Sequence, residues 1–312
     1  MNGTPSISES YSVVGGFWTG PEAVVPLALV VLPRGPSLFR PHLLERFHAL
    51  GFSEILCVET GTPRYDTAGL VGRLPRLRIL VHRTPLSGGE AVNLAAREIR
   101  RDKFLVLWDD QELVEPAPSR LGSLLGNGQV AVVPQRLDSQ GRETPSVQVP
   151  GLQKDRLKIL ALGADQESVD TLFPPEYVAL YDRERFYHTG GFDPDLGNSF
   201  WQKVDWGLRS RLWGASLVVN RTFQVRSTRN LRSEDQTPDR SYPRFYLRNL
   251  AVRHAGDHSV LPMARFGAHW RRSGLGLGAS LRMFLQERQW VKTHRYLYKT
   301  DAKVLMELWG GA

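Results

Sequence analysis

Apolar and polar positions alternate in blocks through the first half of the chain. "PLALVVL" (26–32) is a continuous apolar run of strand length. "LFRPHLLERFHALG" (38–51) spaces its apolar residues as one helical face and stops at Gly51. "EILCVET" (54–60) and "LRILVH" (77–82) are further strands, the first followed by the turn Gly61-Thr62-Pro63. Ser87 and Glu90 have capping-box spacing, and Val92, Ala95, Ala96 and Ile99 follow on one face of the helix they open. "KFLVLW" (103–108) and "QVAVVP" (129–134) complete five strands. Short apolar strands alternating with helices predict a mostly parallel α/β sheet flanked by helices, because parallel neighbours need crossover connections.

The second half is less regular. "YVALYDRERFYHTGGFDPDLG" (177–197) reads as a strand, a short helix and a Gly-Gly turn. "VDWGLRSRLWGASLVVN" (204–220) reads as an amphipathic helix, closed by Gly214, running into a strand. The expected organisation is a disordered N-terminus over 1–22, an α/β domain over 23–225, and a basic, aromatic, mainly helical C-terminal extension over 226–312.

Composition narrows the function classes. With 41% hydrophobic and 23% charged residues this is an ordinary globular chain. Its one cysteine, Cys57, lies inside a strand and excludes an intramolecular disulfide. The apolar run 23–32 is too short for a bilayer, which takes about 20 residues, and the N-terminus lacks signal-peptide character, so a cytoplasmic protein is expected. The net charge of +8 suits nucleic acid, an anionic membrane or a phosphate-bearing substrate. No helix-turn-helix, zinc or RNA-binding signature accompanies it, so nucleic acid is not an expected partner. Phosphate-loop, nucleophile-elbow and zinc-protease motifs are absent as well.

One stretch raises a chemical question. "FLVLWDDQELVEP" (104–116) drives an apolar strand into Asp109, Asp110, Gln111 and Glu112. Either these acids cap the next helix or they hold something positive. In parallel sheets ligands bind beyond the carboxyl ends of the strands, and Asp109 and Asp110 sit at such an end.

Two blocks now match one pattern. "LSGGEAVNLAAREIRRDKFLVLWDDQELVEP", with Asn93 and Glu115-Pro116, resembles the segment of family 2 glycosyltransferases that leads into their acid-x-acid motif. "ALYDRERFYHTGGFDPDLGNSFWQKVDWGLRSRLWGASL" resembles that family's acceptor-side block through Arg183-Glu184, Phe186, Gly190 to Asp193, Asp205, Arg209 and Gly214. The resemblance covers roughly 26–220 and implies a GT-A (Rossmann-like) fold with sugar transfer from a UDP- or GDP-type donor, usually with inversion. It implies Mg2+ or Mn2+ held by Asp109 and Asp110, donor contacts from Glu59, Asn93 and Asp109, and Asp205 as the acceptor base. On the acceptor side it places Gly190, Gly191 and Asp193; Trp201 could stack on a sugar ring there or, like Trp206 and Trp213, pack in the core. Family acceptors are commonly lipid-linked or cell-surface glycans, which makes cell-envelope polysaccharide a natural product class. The tail's Trp270, Arg271, Arg272, Arg282, Phe284, Trp290 and Lys292 suit peripheral contact with the inner face of a membrane, or a solvated helical cap.

This chain departs from the family at several points. Gln111 stands at the third metal-ligand position, Glu59-Thr60-Gly61-Thr62 replaces Asp-Asp-Gly-Ser, and only Pro33 survives of the turn after the first strand. Gln202-Lys203 occupies the acidic pair that often carries the catalytic base. Those changes motivate a second reading, a catalytically weakened GT-A domain that binds nucleotide or glycan without turnover. Asp205 and Arg209 could equally form a surface i,i+4 ion pair. His254, His258 and His269 could add a ligand or be plain surface histidines.

Overall fold

The computed structural model describes residues 10–20, 25–34, 40–153, 156–229 and 234–309. In chain order come β1 (Tyr11–Val14), β2 (Val25–Leu32), α1 (Arg40–Ala49), β3 (Phe52–Thr60), α2 (Thr67–Arg73), β4 (Leu77–His82), α3 (Gly88–Glu98) and β5 (Lys103–Trp108). Then follow β6 (Gln111–Glu115), β7 (Gln129–Leu137), β8 (Glu143–Thr144), β9 (Val147–Gln153), β10 (Arg156–Leu162), β11 (Ser168–Asp170) and β12 (Leu180–Asp182). After these come α4 (Arg183–His188), α5 (Ser199–Leu212) and β13 (Ser216–Ser227). The C-terminal part holds α6 (Tyr242–Phe245) continued by a π turn, the hairpin β14 (Arg253–Ala255) and β15 (His258–Val260), α7 (Phe266–Ser273), α8 (Leu277–His294) and α9 (Ala302–Glu307).

The five expected strands are all present, and β4 and β5 have the anticipated bounds. The main sheet runs β1-β4-β3-β2-β5-β12-β7-β13-β11. Its half from β4 to β5 is parallel, as is β7 with β13. β12 is antiparallel to both its neighbours. Between β7 and β12 the chain builds the β9–β10 hairpin instead of a crossover helix, so β12 enters the sheet reversed.

Local chemistry sets the helix starts. The Ser87 hydroxyl accepts from Glu90 N at 3.2 Å, and the Glu90 carboxylate accepts from Ser87 N at 2.8 Å, so the capping box is complete. α5 begins five residues before the expected stretch at Val204, because Asn198 caps it by accepting from Phe200 N and Trp201 N.

Two expectations are corrected. Residues 11–14, assigned to a disordered N-terminus, form β1, antiparallel to β4, and the Tyr11 hydroxyl donates to Glu98 at 2.7 Å. Residues 1–9 and 21–24 of that segment lie outside the described residues. Asp109-Asp110 opens no helix. It turns the chain into β6, which pairs with β13.

The sheet carries a core on each face. On one face α3, α4 and α5 pack around Trp206, whose ring centroid lies 5.6, 5.6 and 5.0 Å from those of Tyr181, Phe186 and Phe192. On the other face α1 and α2 contribute Leu44, Phe47 and Leu70. The C-terminal extension docks on α5 through Phe245, Leu247, Phe284, Val291 and Tyr298 against Val204, Leu208 and Leu212. It has no core of its own among the described residues, so α5 is its foundation.

Gly207 tests this packing. A Cβ there would stand 2.0 Å from the backbone oxygen of Leu172. Helix propensity favours alanine by about 1 kcal/mol. Overpacking costs about 1–3 kcal/mol and here has no flexible side chain to absorb it. Gly207→Ala is therefore expected to lower the denaturation midpoint in urea, and an unchanged or raised midpoint would contradict the packing described.

Candidate active site

The charged residues of the opening stretch gather where β2, β3 and β5 end. Arg40, at the start of α1, is 3% exposed and pairs with both Glu59 and Asp109, reaching Asp109 Oδ2 at 2.7 Å. Burial works against its charge, but the hydrogen bond to Glu59 and the two carboxylates hold its pKa above the usual arginine value. Glu59 also accepts from the Tyr65 hydroxyl at 2.7 Å, and burial foremost pushes that phenol's pKa up. Asp109 accepts from Arg34 N at 2.9 Å. The Arg34 guanidinium lies 3.3 Å from Asp110, 3.2 Å from Glu176 and 4.3 Å above the Trp108 ring centroid. The acids thus hold something positive, and in this arrangement it is arginine from the same chain.

Gln111 faces inward. Its amide oxygen accepts from Trp108 N at 3.0 Å, and its nitrogen donates to Glu176 at 3.2 Å. A hard divalent cation needs several oxygen ligands with lone pairs to spare. Here both carboxylates are engaged by guanidinium groups, and the third-position amide oxygen is spent on backbone. This donor set does not fit the expected Mg2+ or Mn2+, and no cluster of three or more His, Cys, Asp or Glu suited to a metal occurs among the described residues. Each of the three histidines is engaged separately: His254 bonds Ser259, His258 bonds Asp257, and His269 is buried.

Glu176 carries a signal that sequence reading missed. Glu176 and Tyr177 both adopt left-handed backbone, with φ of 56° and 66°. Such strain costs about 1–3 kcal/mol per residue and persists only where surroundings enforce it. The Trp108 indole donates to Glu176 O at 2.7 Å, and the Tyr181 hydroxyl donates to Tyr177 O at 2.7 Å. Nothing in "FPPEYVAL" (173–180) announces this conformation, because it depends on donors from β5 and β12.

The acceptor-side block assembles around α5, with changed roles. Asp205 is 0% exposed; it pairs with Arg209 at 2.9 Å and accepts from Asn249 at 2.7 Å. Expected as the acceptor base, it is instead a buried structural anion out of reach of solvent, and the alternative of a surface ion pair fails for the same reason. Asn93, expected at the donor, spends both ends of its amide on Phe192, donating to its carbonyl at 2.6 Å and accepting from its N–H at 2.9 Å. That clasp holds the Gly190-Gly191 turn to α3. At Gly191, φ is 61° and a Cβ would meet Asn93 Oδ1 at 2.6 Å, so only glycine fits. Arg209 secures the same turn through the carbonyls of Thr189 and Gly191.

Asp193 faces the C-terminal extension, paired with Arg248 at 2.6 Å. Trp201 is 4% exposed, donates to Thr237 O at 3.1 Å and packs on Tyr242 and Phe245. Its broad face is not open for stacking on a sugar ring. It instead helps wall a cavity of about 550 Å³ with Phe200, Tyr242, Lys158, Arg271 and Arg272.

At the positions of the family's acidic pair, Gln202 accepts from the Tyr177 hydroxyl at 2.7 Å, and buried Lys203 pairs with Glu234. Burial pulls the Lys203 pKa below the usual lysine value, against the attraction of Glu234. Glu234 keeps 29% of its side chain exposed and Glu176 keeps 13%. Half-buried Arg136 stands electrostatically close to both.

Breaking the Asp205 pair leaves a guanidinium buried without its counter-charge, which costs about 3–5 kcal/mol. Asp205→Ala is expected to destabilise the fold by that order in urea denaturation. A variant of undiminished stability that had lost only turnover would restore Asp205 as a catalytic group.

No family model and no curated protein matches the chain. Among solved structures, the crystal structure of GalNAc-T7 with UDP, GalNAc and Mn2+ aligns at a TM-score of 0.51 and 14% identity, covering 72% of this chain and 48% of that one. S. aureus TarS aligns at 0.48 and 12%, covering 84% and 43%. The mannosyltransferase PcManGT from Pyrobaculum calidifontis, in complex with GDP-Man and Mn2+, aligns at 0.43 and 13%, covering 85% and 69%. This chain spans about half the length of the first of these. At such identities the likeness is one of fold, and the fold is GT-A.

Proposed function

We propose that the chain is a glycosyltransferase domain that binds a UDP- or GDP-type sugar at the carboxyl edge of its sheet and passes the sugar to a glycan or lipid-linked acceptor. The observation that carries this reading is the convergence of Glu59, Arg40, Asp109, Arg34 and Glu176 at the ends of β2, β3 and β5 of a GT-A sheet. Ligands of such sheets bind at this edge. The UDP, GalNAc and Mn2+ bound by GalNAc-T7 give the same fold a precedent for the donor class.

In this reading Arg34 takes the diphosphate. Its side chain keeps 26% of its surface open, where Arg40 is sealed by its two carboxylates, and a guanidinium matches phosphate oxygens in pairs. Trp108 holds the Arg34 head from below. The acceptor proton goes to Glu234. Lys203, standing where the family keeps an acid, draws that carboxylate to the edge beside Tyr177. Inversion follows if the acceptor oxygen attacks opposite the departing diphosphate. The protein side supplies charge, orientation and a proton acceptor, and no step runs through a metal.

A second reading, a GT-A domain that binds nucleotide or glycan without turnover, is favoured by one observation. No carboxylate on α5 reaches solvent: Gln202 and Lys203 hold the acid positions, and Asp205 is sealed.

Calorimetric titration of UDP and GDP, with and without Mn2+, separates these possibilities. Binding is expected with or without Mn2+, and its loss is expected in Arg34→Ala. Mn2+-dependent binding abolished by Asp109→Ala/Asp110→Ala would return the cation to the acids. A general base contributes about 100- to 10,000-fold, so Glu234→Gln is expected to lower transfer by that order while donor affinity holds. Tight donor binding with no transfer to any acceptor would leave the non-catalytic reading standing.

A further inference from the structure

Residues 258–300 contain eight Lys and Arg and a single acid, Glu287. Glu287 is 0% exposed and consumed by Arg244 and Arg248. The outer surface built by this stretch therefore presents no carboxylate at all. It is made chiefly by α7 and α8, joined through Gly274-Leu275-Gly276 and held together by Phe266 and His269 against Phe284.

Apolar side chains stand out on that same surface. Leu277, Leu281 and Leu285 recur every four residues along α8 and are 55%, 37% and 47% exposed. Trp270 on α7 is 44% exposed, and Met263 just before it is 48% exposed. Arg271, Arg272 and Arg282 are exposed among them. By contrast, exposed Arg142 pairs with Asp138 and exposed Arg221 pairs with Glu143. An apolar stripe whose exposed charged neighbours on α7 and α8 are all cations matches a surface that is oily within and negative outside. No helix among the described residues is long and apolar enough to cross a membrane, so the fit is to lying on one.

We infer that the α7–α8 face docks on an anionic lipid membrane, with Trp270, Leu277, Leu281 and Leu285 entering the headgroup boundary and the arginines meeting lipid phosphates. Arg271 and Arg272 also line the cavity of about 550 Å³ beside Trp201 and Tyr242. Docking sets that cavity next to the bilayer, where a lipid-linked acceptor carries its own phosphate. The acceptor assignment rests on the transferase reading, whereas membrane docking does not.

The test is co-sedimentation of the full chain with vesicles of phosphatidylglycerol and phosphatidylcholine in equal parts, against vesicles of phosphatidylcholine alone. Binding is expected only to the anionic vesicles. It should weaken by about tenfold or more in Leu281→Asp/Leu285→Asp and again in Arg282→Glu, with circular dichroism and nucleotide affinity unchanged. Absence of binding to anionic vesicles overturns the inference, and so does binding that both variants retain. A chain that self-associates through these leucines and ignores vesicles overturns it in favour of a second copy. Nucleotide affinity measured on the same samples keeps the two readings apart. Vesicle binding without nucleotide binding sinks the donor site and leaves docking intact, and the reverse result sinks docking alone.

Discussion

Removing a carboxylate and a guanidinium from water is costly unless every polar atom finds a partner, and the burial of Asp205 and Arg209 meets that demand by recruiting distant parts of the chain. The carboxylate takes Arg209 on one oxygen and Asn249 on the other. Two more of the guanidinium's N–H groups donate to the carbonyls of Thr189 and Gly191. One pair on α5 thereby fixes the Gly-Gly turn on one side and the C-terminal extension on the other. Asn93 grips the same turn from α3, so the acceptor side of the sheet is held from two helices. The extension follows, because Asp193, Arg248 and Glu287 link that block to α8.

The carboxyl edge of the sheet follows a related rule with a different outcome. Glu59, Asp109, Asp110, Glu176 and Glu234 meet Arg34, Arg40, Arg136 and Lys203 within one region. Deep pairs such as Arg40 with Glu59 are sealed and structural. Arg34 and Glu234 retain exposure and are positioned to trade an internal partner for a ligand. An edge that balances its own charge needs no cation to remain folded. This separates it chemically from a pair of bare carboxylates awaiting a metal.

Strand positions were legible in the sequence because a strand buried on both faces must be apolar throughout, and five such runs are unmistakable. The capping box at Ser87 and Glu90 was legible because its two hydrogen bonds are local. β1 was not, since "YSVV" (11–14) has no pattern of its own and becomes a strand by completing the edge of β4. The DDQ segment was legible as a place of chemistry but not as to its partner. Arg34 and Arg40 lie about 70 residues away in sequence and reach it only through the register of β2 with β5.

The sequence by itself determined an alternating α/β sheet, the acids at one strand end, the glycine turn and the basic, aromatic tail, because periodicity, capping and charge are properties of neighbours along a chain. Tertiary structure decided the rest. It turned Asp205 from a base into a buried anchor, gave Asp109 and Asp110 to arginines, strained Glu176, and brought Glu234 to Lys203. Each of those outcomes depends on which groups folding brings within a few ångströms and on how much water it leaves there. Chain order alone fixes neither.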